Sequence, residues 1–226
     1  LHPRVRRQRQ MCIRDSMGTI TVARLDNLYW LGRYIERVYQ LISMYMDSYD
    51  HMIDENSDYY IRICEALGVP NEYTSSEDFT SRFAFDENNS YSIIANAQRA
   101  YDNAMVIRDE ISTKTLAYIH LAISRLNEAK ISDSPIFSLQ QVLDNILAFW
   151  GCLDDEVDEE STRNAVKAGK RIERLDLYLR TKKPRAELRR EVDRLTHRIG
   201  TTTLKYNKAA LMHVAAMIED EPIDYG

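Results

Sequence analysis

Glycine and proline are scarce here, seven and five among 226 residues. Sheet-rich folds need frequent turns, so this little punctuation points to long helices with few connections. Cysteine is scarcer still. Cys12, Cys64 and Cys152 are odd in number and far apart, which excludes a disulfide framework, shows no metal-ligand spacing, and points to a reducing, cytoplasmic compartment. No run approaches about 18 consecutive apolar residues, so a membrane span is not expected. Positive charge is also short: 30 Lys and Arg against 35 Asp and Glu leave a net charge of −5. Nucleic-acid binding usually demands a basic face, so no such partner is expected.

The signatures of common chemistry are missing as well. There is no phosphate loop, no Gly-x-Ser-x-Gly elbow and no Cys-His signature. His51, His120, His197 and His213 each lack a Glu three positions earlier, which excludes the Glu-x-x-His pairs of a di-iron bundle. No metal and no cofactor are expected.

What is present is helical periodicity in a chain long enough to bury a core without disulfides or metals. From Ala23 to about Ile53 the apolar residues Leu28, Leu31, Ile35, Val38, Ile42, Tyr45, Met46, Tyr49 and Met52 recur at helical spacing. That run predicts a helix roughly 45 Å long. Asp58 starts a shorter helix, 59–67, stopped by Gly68 and Pro70. Residues 71–89 are polar and irregular, with Phe79, Phe83 and Phe85 pinning the connection to the body through a helical turn. Ser90 is the expected cap of the next helix, whose stripe runs through Ile93, Ala97, Ala100, Ala104 and Ile107. A helix from Thr113 to about Ala129 follows, and Ser132-Asp133-Ser134-Pro135 breaks it.

Residues 136–153 are apolar nearly all round, the pattern of a central, buried helix. The acidic run Asp154–Glu160 reads as a solvated helix end, with Ser161 or Thr162 capping the helix that ends near Pro184. Further helices are expected at about 185–199 and 202–218, separated by Gly200. The fold class is therefore an all-α, antiparallel helical bundle of about seven or eight helices.

Residues 1–16 stand apart. They hold five Arg and one Asp, lack the apolar middle of a signal peptide, and contain Met11–Ser16, which resembles translated sequencing-adapter sequence. They are expected to be a non-native or disordered extension before a helical domain at 17–226. Removing them takes the charge from −5 to −9.

The informative feature is a repeat. Gly32-Arg33-Tyr34-Ile35-Glu36-Arg37 and Gly169-Lys170-Arg171-Ile172-Glu173-Arg174 match at Gly, Ile, Glu and Arg, with a basic residue after each Gly. Recurrence at long spacing on two predicted helices suggests an internal duplication. A mid-helix Gly costs about 1 kcal/mol against Ala, so close approach of another backbone is its better explanation. Gly and Glu four apart share a face, while the adjacent Arg points about 100° away. Two readings follow. In one, Glu36, Arg37, Glu173 and Arg174 form interhelical ion pairs that fix register. In the other, the motifs face each other across a pocket and the arginines clamp a carboxylate or phosphate. Arg99, Arg108 and Arg125 lie on neighbouring helices and could reach the same layer.

The segment Leu28-Tyr29-Trp30-Leu31-Gly32-Arg33-Tyr34-Ile35-Glu36-Arg37 resembles the signature of the bacterial alpha-E domain family. Gly169 to Arg180, with Glu173, Arg174, Asp176 and Arg180, resembles that family's later motif, and residues 97–112 its central helix. The similarity spans roughly Met17 to the C-terminus. It implies an all-α bundle working beside ATP-grasp ligase-like and transglutaminase-like proteins that make or modify peptides or amide-linked molecules, with no established reaction for the helical component itself. The copies are not equal. Asp176 and Arg180 of the second correspond to Tyr39 and Ser43 of the first, and Tyr101 and Met105 stand where the central helix usually has Arg. Three functions are compatible with this pattern. One is an accessory or interaction module that docks an ATP-grasp partner, another an enzyme using Glu36 or Glu173 as general base on an anionic substrate, and the last a purely structural domain.

Overall fold

The computed structural model describes residues 21–54, 58–132 and 134–200, together with 211–213, 215, 216 and 218. Among these residues there is no strand, and eight helices are described from end to end: α1 (Val22–Asp54), α2 (Tyr59–Leu67), α3 (Ser76–Phe85), α4 (Ile93–Val106), α5 (Thr113–Lys130), α6 (Pro135–Glu156), α7 (Glu160–Arg180) and α8 (Arg185–Gly200). The all-helical bundle expected from the sequence is what is found. Residues 1–16 and most of the expected helix 202–218 lie outside the described residues; Leu211, Ala215 and Ile218 are helical and pack on α8.

The long unbroken stripe of α1 makes it the hub. Leu28, Leu31, Ile35, Val38, Leu41, Ile42 and Tyr45 are all buried, and α1 packs against α2, α3, α4, α6 and α7. This corrects the expectation that α6 is the central helix. Only one face of α6 is covered, that of Leu139, Val142, Ile146, Phe149 and Leu153, while Phe137 and Leu147 stand in the open at 76% and 54% exposure. α6 forms the outer arm of a hairpin with α5. It is also a described helix that is long and apolar enough to cross a membrane by length and composition alone.

Within α6, Gly151 has nothing within 4 Å of the place a Cβ would take. Gly151→Ala therefore meets no obstruction and restricts the unfolded chain, and it should raise stability by about 0.5–1 kcal/mol in urea unfolding.

Local chemistry sets the helix ends. Ser75, Ser92 and Ser112 each accept a hydrogen bond from the N–H three residues on, capping α3, α4 and α5. The cap of α4 is thus Ser92 and not Ser90, whose carbonyl instead accepts from Arg99. Glu159, not Ser161 or Thr162, caps α7, and Thr162 is buried inside it. Gly68 takes the left-handed conformation (φ 65°) that closes α2. The stretch read as a pinned connection holds the ten-residue α3, because Phe79 and Phe83 stack together at 4.7 Å and against Tyr45 and Tyr60. Of the thiols, Cys64 is buried and Cys152 only half-buried; burial pushes the Cys64 thiol up, away from reactivity.

Candidate functional site

α1 and α7 meet at the two repeat glycines. A Cβ on Gly32 would lie 1.9 Å from the Val166 carbonyl oxygen and 3.1 Å from the Lys170 nitrogen. A Cβ on Gly169 would lie 2.1 Å from the Tyr29 carbonyl oxygen and 3.0 Å from the Arg33 nitrogen. Each glycine therefore rests on the residues three before and one after the other glycine. The relation is a local two-fold, as a duplication predicts. Gly32 with Gly169, Glu36 with Arg174 and Arg37 with Glu173 advance together, so these two helices run in the same direction within the bundle.

The notch brings one turn of each helix into register above it. Glu173 accepts from Arg33 Nε at 2.7 Å, from Arg37 Nε at 2.5 Å and from Arg37 Nη2 at 3.1 Å. Glu36 accepts from Arg174 Nε at 2.6 Å and from Gln40 at 2.7 Å. The acid of each copy is thus answered by the arginine of the other. Both carboxylates are fully buried, Glu36 at 0% and Glu173 at 1% exposure. Buried carboxylates need such partners, because an isolated charge there is strongly disfavoured.

Aromatic rings flank the cations: the Arg33 guanidinium carbon is 5.1 Å from the Trp30 ring and that of Arg37 5.5 Å from the Tyr34 ring. Burial pulls the Arg33 guanidinium down, but the charges of Glu173 and Tyr29 outweigh it and hold the group above its ordinary value. Arg174 behaves alike, with burial opposed by Glu36 and Glu191.

The two halves differ in the basic residue that follows each glycine. Where Arg33 bonds Glu173, its counterpart Lys170 sits with Nζ 3.8 Å from the Trp150 ring centroid, and Glu36 Oε2 has no hydrogen-bond donor among the described residues. Burial, only partly offset by the Glu36 charge, brings the Lys170 amine down to about 8. The folded value lies below the unfolded one, so between about pH 8 and 10 the unfolded chain binds more protons and stability rises with pH. The buried Cys64 thiol, held up, opposes this from the ordinary thiol range upward, and the buried Tyr45, Tyr73 and Tyr178 hydroxyls oppose it from the ordinary tyrosine range upward. From pH 8 to 10 the urea midpoint of the wild type should rise relative to that of Lys170→Met, which lacks the amine and keeps the opposing groups.

Of the residues singled out from the sequence, Gly32, Arg33, Glu36, Arg37, Gly169, Glu173 and Arg174 form this one layer. Asp176 and Arg180 sit at its rim, joined to each other at 3.1 Å, with Arg180 Nη1 donating to the Leu67 carbonyl at 2.9 Å. Arg99, Arg108 and Arg125 are not part of it. Arg99 holds the Ser90 carbonyl, Arg108 lies exposed beside Asp109 in the turn after α4, and Arg125 pairs with Glu128 on α5.

Three contributors were not anticipated. Asn96 Oδ1 lies 3.4 Å from Arg37 Nη1, Gln40 donates to Glu36, and Glu191 of α8 accepts from Arg171 and Arg194 at 2.8 Å with Arg174 at 3.8 Å. Gln40 stands four residues after Glu36 on one helix and was legible from spacing alone. The other two come from helices whose packing the sequence does not reveal.

A cavity of about 170 Å³ opens beside Glu173, Arg37, Asp176 and Arg180. Among the described residues, no three His, Cys, Asp or Glu side chains gather as metal ligands.

A model of the Alpha-E family, described as a predicted alpha-helical domain with a conserved ER motif, matches residues 23–218. That span contains both Glu-Arg pairs. No curated protein and no solved structure matches the chain.

Proposed function

The chain belongs to the Alpha-E family, and on that footing we propose that it is a non-catalytic accessory module whose Glu-Arg layer clasps the two repeat helices in register, so that the bundle offers a rigid surface to a partner. The observation that carries this reading is the exchange of ion pairs. Glu36 and Glu173 are both buried and both held by guanidinium groups of the opposite copy. Carboxylates locked in that way fix the register of two helices well. The partner class suggested by the sequence resemblance is an ATP-grasp ligase-like protein, with a transglutaminase-like protein as a further component, in a system that makes or modifies peptide or amide bonds.

Co-purification from a native host tests it. The wild-type chain should recover an ATP-grasp ligase-like protein, and a variant with Arg37→Ala and Arg174→Ala should recover less. Unchanged recovery by a variant with wild-type helix content would count against the clasp as the basis of docking. A second reading, an enzyme with Glu173 as general base, is favoured by the cavity beside that residue. It predicts that Glu173→Gln, nearly the same in shape, abolishes an activity of the isolated chain.

A further inference from the structure

The parallel pair α1 and α7 has a groove on each side, and the two grooves differ in charge. Applying the offset of 137 residues between Gly32 and Gly169 pairs Leu41 with Tyr178, Asp176 with Tyr39 and Arg180 with Ser43. On one side the cavity of about 170 Å³ is lined by Arg37, Asp176 and Arg180, with the end of α2 and the residues before α4 closing it. On the other, a cavity of about 320 Å³ carries Ser43 and Tyr178 at the corresponding places. The local symmetry of the clasp explains the glycines, the glutamates and their arginines. It does not explain why one groove sets a bonded acid and arginine, Asp176 and Arg180, beside a buried glutamate, while the charges of the other, Asp47, Arg62 and Lys183, stand at non-equivalent positions.

The unused valences there are of both signs. Arg180 employs Nε on Asp176 and Nη1 on the Leu67 carbonyl, which leaves Nη2 to donate. Arg37 employs Nε and Nη2 on Glu173, and its Nη1 makes only a long contact with Asn96. Asp176 receives Arg180 on Oδ1, and its Oδ2 has Arg33 no nearer than 3.9 Å. A dianion such as phosphate would face Glu173 and Asp176, both carboxylates, at close range, and like charges there oppose it. A single carboxylate carried next to an ammonium is opposed far less, because it has half the charge and its own cation offsets it. The carboxylate answers Arg180 and Arg37, and the ammonium answers Asp176. The remaining wall mixes the apolar Leu41, Leu67 and Leu177 with the polar Ser90, Tyr91 and Asn96. At about 30 Å³ per water the space holds roughly five or six non-hydrogen atoms, the size of glycine or alanine.

We infer that the groove beside Glu173 is a binding site for a small free α-amino acid, held as its zwitterion between Arg180 and Asp176. This deepens the reading of the chain as a module that holds and does not transform, and rests on it only in that respect.

Calorimetric titration of the full chain with L-alanine tests the site, with N-acetyl-L-alanine and L-alaninamide standing for the terminal residues of a peptide. L-Alanine should bind saturably. Each derivative, lacking one charge, should bind at least about tenfold more weakly, and inorganic phosphate should not compete. Asp176→Asn should weaken L-alanine about tenfold while leaving N-acetyl-L-alanine unchanged, and Arg180→Gln should weaken both. Both side chains lie at the solvent-facing rim, and circular dichroism should show wild-type helix content for each variant. No binding of L-alanine or glycine at about 10 mM, equal affinity for L-alaninamide, or tighter binding of phosphate would each overturn the proposal. Conversion of the bound amino acid to a product would sink the non-catalytic reading and leave the site standing.

Discussion

Gly32→Ala and Gly169→Ala should each lower the unfolding free energy by about 2–4 kcal/mol, the larger end of what overpacking costs. The added methyl would lie 1.9 Å or 2.1 Å from a backbone carbonyl oxygen. A carbonyl inside a helix cannot swing aside as the end of a flexible side chain can. The two helices would have to part, and with them the ion pairs one turn above. Helix propensity works the other way, since Ala is better than Gly by about 1 kcal/mol, and the figure given is net of that gain. Gly151→Ala is the control, because the same substitution at an unobstructed helical site should stabilise. Urea unfolding of the three variants reads both signs. Equal stability of Gly32→Ala and wild type would mean that α1 and α7 do not approach as described.

Glu173→Ala should cost about 3–5 kcal/mol, as expected for removing one partner of a buried, bonded charge set. It strips three hydrogen bonds from Arg33 and Arg37 at once and leaves two half-buried guanidinium groups facing each other. Replacing Glu173 with Leu and Arg33 and Arg37 with Met should restore much of that loss, because well-packed apolar groups often match a buried ion pair in stability. The contrast between the single and triple variants separates a clasp from mere packing. If Glu173→Ala unfolds at the wild-type urea concentration, the clasp contributes nothing. Asp176→Asn, at the rim, should change stability by no more than about 0.5 kcal/mol.

Much of this was legible in the sequence, for reasons that particular residues show. Two mid-helix glycines, each followed four residues later by Glu-Arg, marked two helices that approach closely, because nothing else favours glycine there. The stripe of α1 was equally plain. The common direction of α1 and α7 was not, since periodicity carries no sense of chain direction. Nor was the choice between ion pairing and ligand clamping, which depends on whether the motifs' arginines meet each other's acids or empty space. Arg108 was misplaced because α4 ends at Val106, which carries the arginine into an exposed turn. Ser90 and Ser92 are equally good caps by type, and only the backbone distinguishes them. α6 is more hydrophobic on average than α1, but composition reports what a helix contains and not how many neighbours it has. Glu191 gathers three arginines from α7 and α8, a meeting that no spacing within one helix could foretell.

The most direct test is a pair of double-mutant cycles, one joining Glu173 to Arg37 and one joining Glu36 to Arg174, followed by urea unfolding. Crossed coupling of acid and guanidinium between the copies predicts an interaction of about 1–3 kcal/mol in each cycle, against roughly 0.5 kcal/mol or less between Glu173 and the remote Arg125. Additive effects in both cycles, with the variants folded, would contradict the exchange of partners on which the clasp depends.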